Sequence, residues 1–366
     1  MHRTVVVILC CSLLIAVSTS NALAQKKKAK GGKSSPAASN QTSAQAKTPA
    51  VVEVKQGALL DSAQLLIQFT YTSLEEALRR PDKVYKLRLD ENNLTALPAT
   101  VGQLVNLQEL SLNYNQLTTL PAEIGKLTNL QVLVLDKNKI KRLPSEIKNL
   151  VNLQKLYLNH YNQMDDVPPD YDAGVELRAL WLAADSLKKL ETLGLGGNHF
   201  KTIPDGVFKI TSLRHLYINE NELTEIPDNI KALKNLEQLD VSSNQLKTFP
   251  SEIGKMKSLQ MLDARLNSLL NVPPELGNCS AMTELDLGFN LLKELPEEIG
   301  NLTKLERINI SNNRLSTLPA TIERWEKLKK LKMVDNPIKD EADLVMKLRK
   351  LQVRKPTPSI ERDIKR

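Results

Sequence analysis

Side chains able to do chemistry are sparse in this 366-residue chain. It has four histidines: His2, His160, His199 and His215. None lies in an HExxH pair, and no CxxC, GxSxG or glycine-rich phosphate loop occurs. Lacking a nucleophile with a nearby base or any metal-ligand spacing, the chain is not expected to be an enzyme or to hold a cofactor or metal. What recurs instead is recognition chemistry. Asp240, Asp263 and Asp286 follow one another at intervals of 23 residues, with Glu284 close to the last. Tyr157, His215 and Tyr217 precede them, and Tyr114 lies further upstream. Aromatic rings beside carboxylates are suited to a Lys- or Arg-bearing protein segment, the rings supplying buried area and the carboxylates charge.

The interval of 23 is a property of the whole chain. Leu130 to Asn152 reads LQVLVLDKNKIKRLPSEIKNLVN, and Leu107 to Asn129 before it reads LQELSLNYNQLTTLPAEIGKLTN. Copies start at Val84, Leu107, Leu130, Leu153, Leu190, Leu213, Leu236, Leu259, Met282, Leu305 and Leu328, always 23 apart except for one interval of 37. Leu133 and Leu135 are two apart, so they leave a strand on one face, and Val132 and Val134 leave on the other. Ile140, Leu143 and Ile147 return to the same core, and Pro144 bars a strand there. One such coil cannot bury its apolar face alone, so the copies must stack. Asn92, Asn115, Asn138, Asn198, Asn221, Asn244, Asn267, Asn290, Asn313 and Asn336 fall where each strand turns. An Asn there can bond both its own turn and the next coil, a structural ladder.

The pattern LxxLxLxxNxLxxLPxxI resembles the leucine-rich repeat family over residues 84–338, about 11 copies. The resemblance implies an α/β solenoid, a curved horseshoe with a parallel sheet inside the arc and short helical or extended segments outside. It implies a binding role only in general terms, because the fold serves many partners. Secreted animal proteins similar to this family usually close the array with disulfide-bonded caps. After the leader this chain keeps only Cys279, in a slot that Leu occupies elsewhere, so the resemblance implies a bacterial-like exported protein.

Residues 1–24 read as a signal peptide: an apolar run from Val5 to Val17, too short for a span, then Ala22-Leu23-Ala24 as a cleavage site. Residues 25–57 form a Lys/Ser/Ala-rich linker expected to be disordered, with seven Lys against one Glu. That run accounts for most of the formal net charge of +8, so nothing global points to nucleic acid. Residues 58–83 are expected to form an N-terminal helical cap, with capping-box spacing at Ser73 and Glu76 and a stop at Pro81. Residues 339–353 are expected to form a C-terminal cap helix, and 354–366 a flexible tail. The 37-residue interval holds an insertion near 169–189. Val175 to Lys189 is expected to be helical, with an apolar stripe at Val175, Ala179, Leu182, Leu187 and Leu190. A cut-down extra repeat is the rival reading. Asn-X-Ser/Thr triplets such as Asn93-Leu94-Thr95 read as chance matches in so Asn-rich a repeat.

Fixed register lists the concave face. Its central slot runs Arg88, Ser111, Val134, Tyr157, Gly194, Tyr217, Asp240, Asp263, Asp286, Asn309, Lys332. The slot two residues earlier runs Lys86, Glu109, Val132, Lys155, Thr192, His215, Gln238, Met261, Glu284, Arg307, Lys330. Strands about 4.8 Å apart make each list a ladder. The expected partner-binding set is Tyr114, Tyr157, His215, Tyr217, Asp240, Asp263, Glu284 and Asp286, although Asp is also a common structural choice in that slot among sequences resembling the family. The function expected is a monomeric, exported, non-enzymatic scaffold binding a protein, with neither nucleic acid nor a stable membrane span. The alternative is an envelope or matrix component tethered by the basic linker, which could bind glycan.

Overall fold

Alternation of one core residue between two outward ones recurs in every repeat, and each repeat folds as a three-residue strand on that pattern. The computed structural model describes residues 59–159 and 177–339 and the strand Ser359–Glu361. The expected signal peptide, the whole expected linker, residues 169–176 of the insertion with Val175, and all of the expected C-terminal helix but Lys339 lie outside the described residues, as do His160 and Tyr161. The strands are β1 (Thr70–Tyr71), β2 (Lys86–Arg88), β3 (Glu109–Ser111), β4 (Val132–Val134), β5 (Lys155–Tyr157), β6 (Thr192–Gly194), β7 (His215–Tyr217), β8 (Gln238–Asp240), β9 (Met261–Asp263), β10 (Glu284–Asp286), β11 (Arg307–Asn309), β12 (Lys330–Lys332) and β13 (Ser359–Glu361). They form one sheet of 13 strands in sequence order, every pair parallel. The architecture is a curved α/β solenoid. The central residue of each strand from β2 to β12, Leu or Ile, is buried. Each such side chain contributes about 1.5–3 kcal/mol on leaving water.

The return half of most coils is a five-residue 3-10 turn, such as Ala122–Lys126, Ser145–Asn149 and Glu297–Asn301. Proline precedes it with φ between −57° and −70°. Its ring imposes that angle and commits the chain to the turn. Cys279 ends one of these turns, buried, its thiol pushed up to about 11 by burial, and it donates to Ile253 O at 3.2 Å.

Asn138 represents the asparagine ladder. Its Oδ1 accepts from Leu117 N at 3.1 Å, and its Nδ2 donates to Leu112 O at 2.8 Å and Leu135 O at 3.0 Å. Asn115, Asn221, Asn244, Asn267, Asn290, Asn313 and Asn336 repeat this two-coil pattern. Two members differ because of what precedes them. Asn198 follows the long coil and reaches back to Leu158 O at 2.8 Å. Asn92, on the first repeat, is exposed and donates to Asp90 O at 2.7 Å. The residue before each ladder Asn has a left-handed backbone, φ 53–68° from Glu91 to Asp335.

The 37-residue interval adds no strand to the sheet, because β5 pairs directly with β6, Lys155 opposite Thr192. This overturns the extra-repeat reading. The helix there, α3 (Arg178–Leu182), has five residues rather than fifteen and packs on the convex side between the 3-10 turns Ser145–Asn149 and Asp205–Lys209. The expected stripe needs correcting too: Leu182 is 73% exposed, while Leu177, Leu180, Ala183, Ala184, Leu187 and Leu190 are buried. With one turn of helix, the inward face follows the repeat core at Leu187 and Leu190, not an extended helical period.

Before the array lie α1 (Ser62–Leu66), β1 and α2 (Leu74–Leu78). Ser73 Oγ accepts from Glu76 N at 3.4 Å, and α2 buries Ala77. The complete capping box is at Asp61 and Gln64, where Gln64 N donates at 2.8 Å and Asp61 N donates back at 3.1 Å. Leu60 is gripped by a glutamine chain along the strand starts. Its N–H donates to Gln108 Oε1 at 2.8 Å, and its carbonyl accepts from Gln131 Nε2 at 2.9 Å. At the far end β13 lies inside the segment expected to fray, paired with β12. The open edge of a parallel sheet offers unpaired N–H and C=O groups to such a segment.

Candidate functional site

The concave ladders have the register read from the sequence. Tyr157 lies opposite Gly194, Gly194 opposite Tyr217, Tyr217 opposite Asp240, Asp240 opposite Asp263, and Asp263 opposite Asp286. His215 and Glu284 lie in the parallel row two residues earlier. Tyr114 stands apart from these rows. It occupies the left-handed turn after β3, with φ 53° and 58% of its surface exposed.

A backbone requirement divides the face in two. The N–H two residues beyond the central slot must be satisfied in every repeat. In the N-terminal half the preceding repeat does it: Asp90 accepts from Asn113 N at 2.8 Å, Asn113 from Asp136 N at 2.9 Å, Asp136 from Asn159 N at 2.8 Å, and Asn159 from Gly196 N at 2.7 Å. In the C-terminal half the central slot does it within its own turn: Asp240 accepts from Ser242 N at 3.0 Å, Asp263 from Arg265 N at 3.1 Å, Asp286 from Gly288 N at 2.9 Å, and Asn309 from Ser311 N at 3.1 Å. These are short-range Asx turns. The slots of Val134 and Tyr157 are thereby released from turn duty, whereas those of Asp240 to Asn309 are not. Asn309 also shows that an uncharged amide performs this duty.

Tyr157 is half-buried, its phenol pushed up to about 12 by burial and then by Tyr217 and Asp136. Gly194 makes room for it, since a Cβ at Gly194 would stand 2.9 Å from Tyr157 Cδ1. Tyr217 donates to Gln238 Oε1 at 2.9 Å, and burial, then Asp240, raises its pKa. His215 Nδ1 lies 3.1 Å from Thr192 Oγ1, and burial lowers its pKa, favouring the neutral ring. Burial first, then Asp240 and Asp286, pushes the Asp263 carboxyl up to about 7, against Arg265, whose Nε is 3.4 Å away. Burial also raises Asp240. Asp286 accepts from Asn309 Nδ2 at 3.0 Å, and Glu284 is paired with Arg307. Among the described residues no group of three or more His, Cys, Asp or Glu is arranged to hold a metal ion, so the acidic row is read as a charged surface.

At the β2 end of the rows the cations are paired, Lys86 Nζ 3.5 Å from Glu109 and Arg88 Nε 3.6 Å from Asp90. An open cavity of about 570 Å³ lies along the strand starts, lined by Gln154, Lys188, Lys189, Glu191, Arg214 and Glu237 among others. Its Arg214 and Glu237 are already paired at 2.7 Å. Reading the sequence missed two features. The Asp90–Asn113–Asp136–Asn159 chain was hidden because it links residues of different repeats. Leu266 and Phe289 were overlooked although their slot, the residue before a ladder Asn, was known; both are large, apolar and exposed.

Residues 78–181 match the family model described as a leucine-rich repeat region, and residues 188–246 and 280–338 match that of the leucine rich repeat. No curated protein sequence matches this chain. Among solved structures, a leucine-rich repeat protein of Leptospira interrogans is 29% identical over 81% of this chain and 100% of its own, at a TM-score of 0.47, too loose to argue from. An internalin of Listeria monocytogenes is 23% identical, covering 72% of this chain and 77% of its own, at a TM-score of 0.53. The FLRT2 leucine-rich repeat domain, solved in an octameric complex with Latrophilin 3 and Unc5D, is 24% identical over 74% of this chain and 87% of the matched one, at a TM-score of 0.59. The last two likenesses show the fold. With the repeat motif, the asparagine ladder and both family models in agreement, this chain belongs to the leucine-rich repeat family.

Proposed function

We propose that this chain is a non-enzymatic scaffold that binds another protein through its concave face. Tyr157 and Tyr217 serve as anchors, and Asp240, Asp263 and Asp286 receive a Lys- or Arg-bearing segment. The observation that carries the reading is the charge of the acidic row. Three carboxylates stand opposite one another on adjacent strands, where like charges disfavour each other. Asn309 performs their turn duty without charge. Their mutual repulsion is therefore not required by the turn and is only partly offset by Arg265 and Asn309, a conflict expected at functional sites. A cation from a partner would remove the conflict. The FLRT2 domain, solved in complex with other proteins, shares the fold and supports an interaction role. Export is part of the proposal and rests on the leader-like residues 1–24; among the described residues no helix is long and apolar enough to cross a membrane.

The test is affinity capture from the surface of the source cell with the wild-type chain and with Y157A/Y217A. One protein should be retained by the wild type and lost by the folded double variant. Equal retention of that protein would remove the tyrosines from the site. Deleting residues 25–57 separates scaffold from tethered component: loss of surface retention with partner capture intact assigns localisation to that segment.

A further inference from the structure

The left-handed slot before each ladder Asn is a poor place for a bulky side chain, because Cβ crowds the following carbonyl. Most repeats fill it with residues that tolerate it or stay solvated, among them Gly197, Ser243, Asn312 and Asp335. Tyr114 is a bulky ring in this slot with a polar tip, and repeats β9 and β10 place wholly apolar side chains there, Leu266 with φ 55° and Phe289 with φ 56°. Neither gains burial by it: Leu266 is 41% exposed and Phe289 47%. The two slots are neighbours, since Leu266 N donates to Gly288 O at 3.0 Å and Phe289 N to Ser311 O at 2.8 Å. The left-handed backbone belongs to every ladder turn, but an exposed apolar side chain in it, on two adjacent repeats, serves no packing purpose. Exposed apolar surface gathers where a protein makes contacts outside itself.

The place of these two side chains is informative. Leu266 follows Asp263 by three residues and Phe289 follows Asp286 by three, so the apolar pair flanks the acidic row at the ends of the same strands. One further polar group there lacks a partner. Ser311 is 6% exposed, and its Oγ has no hydrogen-bond partner among the described residues.

We propose that Leu266 and Phe289 form an apolar anchor point at the edge of the acidic strands, which takes an apolar side chain adjoining the basic residues of a protein partner. The proposal rests on the acidic-row reading and adds to it the composition of the partner segment: a Lys or Arg over Asp240, Asp263 and Asp286, with an aliphatic or aromatic residue next to it. Charge complementarity selects a basic occupant, and the pair supplies what charge cannot, a desolvated contact that sets register. Arg265, already beside Asp263, is the internal cation with which the partner competes.

Fluorescence anisotropy with two labelled twelve-residue peptides tests this. One alternates Lys with Leu; the other alternates Lys with Ser. The wild-type chain should bind the Lys–Leu peptide about tenfold or more tightly than the Lys–Ser peptide, as burial of an apolar side chain allows. L266S/F289S should abolish that preference while still binding both peptides. This variant is compatible with the fold because Ser243 already occupies the same slot with φ 53°. D240N/D263N/D286N should weaken both peptides. An unchanged preference in L266S/F289S overturns the anchor, as does failure of the Lys–Leu peptide to bind the wild type. If only the Asn variant weakens binding, the anchor falls and the acidic-row reading stands. If the Asn variant binds both peptides as the wild type does, the acidic-row reading itself falls. Concentration-dependent dimerisation of the wild type in sedimentation equilibrium, lost in L266S/F289S, would assign the pair to self-association and also overturn the proposal.

Discussion

Asp263 is where the conflict on the concave face is most measurable. Burial and the flanking carboxylates of Asp240 and Asp286 push it up to about 7 from an ordinary value of 3.8. A carboxyl raised in the fold favours the protonated state there. Its cost is therefore absent below about pH 4, grows as pH rises through 7, and is full above that. At about 1.4 kcal/mol per pH unit, a rise of about three units makes the full cost on the order of 4 kcal/mol. D263N keeps an oxygen for Arg265 N, as Asn309 does for Ser311 N. In thermal denaturation D263N should melt several degrees above the wild type at pH 8 and together with it near pH 4. Identical melting at both pH values would mean that the carboxylate carries no cost and would remove the main support for a functional acidic row.

Among the elements, the turn held by a ladder asparagine is the side-chain hydrogen-bonding device that recurs from coil to coil. Asn138 is 3% exposed and ties Leu112, Leu117 and Leu135 across two coils. N138A would strand the buried Leu117 N–H and take its side-chain donor from Leu135 O, while Leu112 O keeps Asn115 Nδ2 at 3.0 Å. At about 1–3 kcal/mol per unsatisfied group, a loss of roughly 3 kcal/mol or more is expected in urea denaturation. N92A, at an exposed position, should cost less than about 1 kcal/mol, the usual range for surface changes. Similar losses at both positions would contradict the ladder as the carrier of stacking. The long coil shows the same logic from the other side. Asn198 cannot use the usual spacing, yet it recovers a carbonyl at Leu158, and β5 pairs with β6 in unbroken register on either side of the insertion.

For the whole array, a sheet in strict sequence order turns the order of repeats into a map of the surface. Uncharged and aromatic slots lie at β4 to β7, and carboxylates at β8 to β10. A partner spanning both contacts two chemistries, one screened by salt and one not. Affinity for the captured partner should fall as sodium chloride is raised. D240N/D263N/D286N should flatten that dependence, while Y157A/Y217A should lower affinity and leave the slope as in the wild type. Equal slopes in all three proteins, measured by calorimetry, would detach the acidic row from binding.

The sequence by itself determined the repeat, its strands, the buried leucines and the concave rows, because a period of 23 fixes register once one strand is placed and every copy repeats the evidence. Tyr157, Tyr217 and Asp240 were legible on the concave face for that reason. Three things were decided only by the tertiary structure. The described part of the insertion, from Leu177, holds a one-turn helix with Leu182 outward, because packing between two 3-10 turns outweighs a helical pattern in a short segment. The Asp90–Asn113–Asp136–Asn159 chain emerged because each bond joins one repeat to the next, and no single repeat contains both partners. The exposed, left-handed Leu266 and Phe289 stood out because strain and burial belong to backbone geometry and neighbours, neither of which is written in residue type.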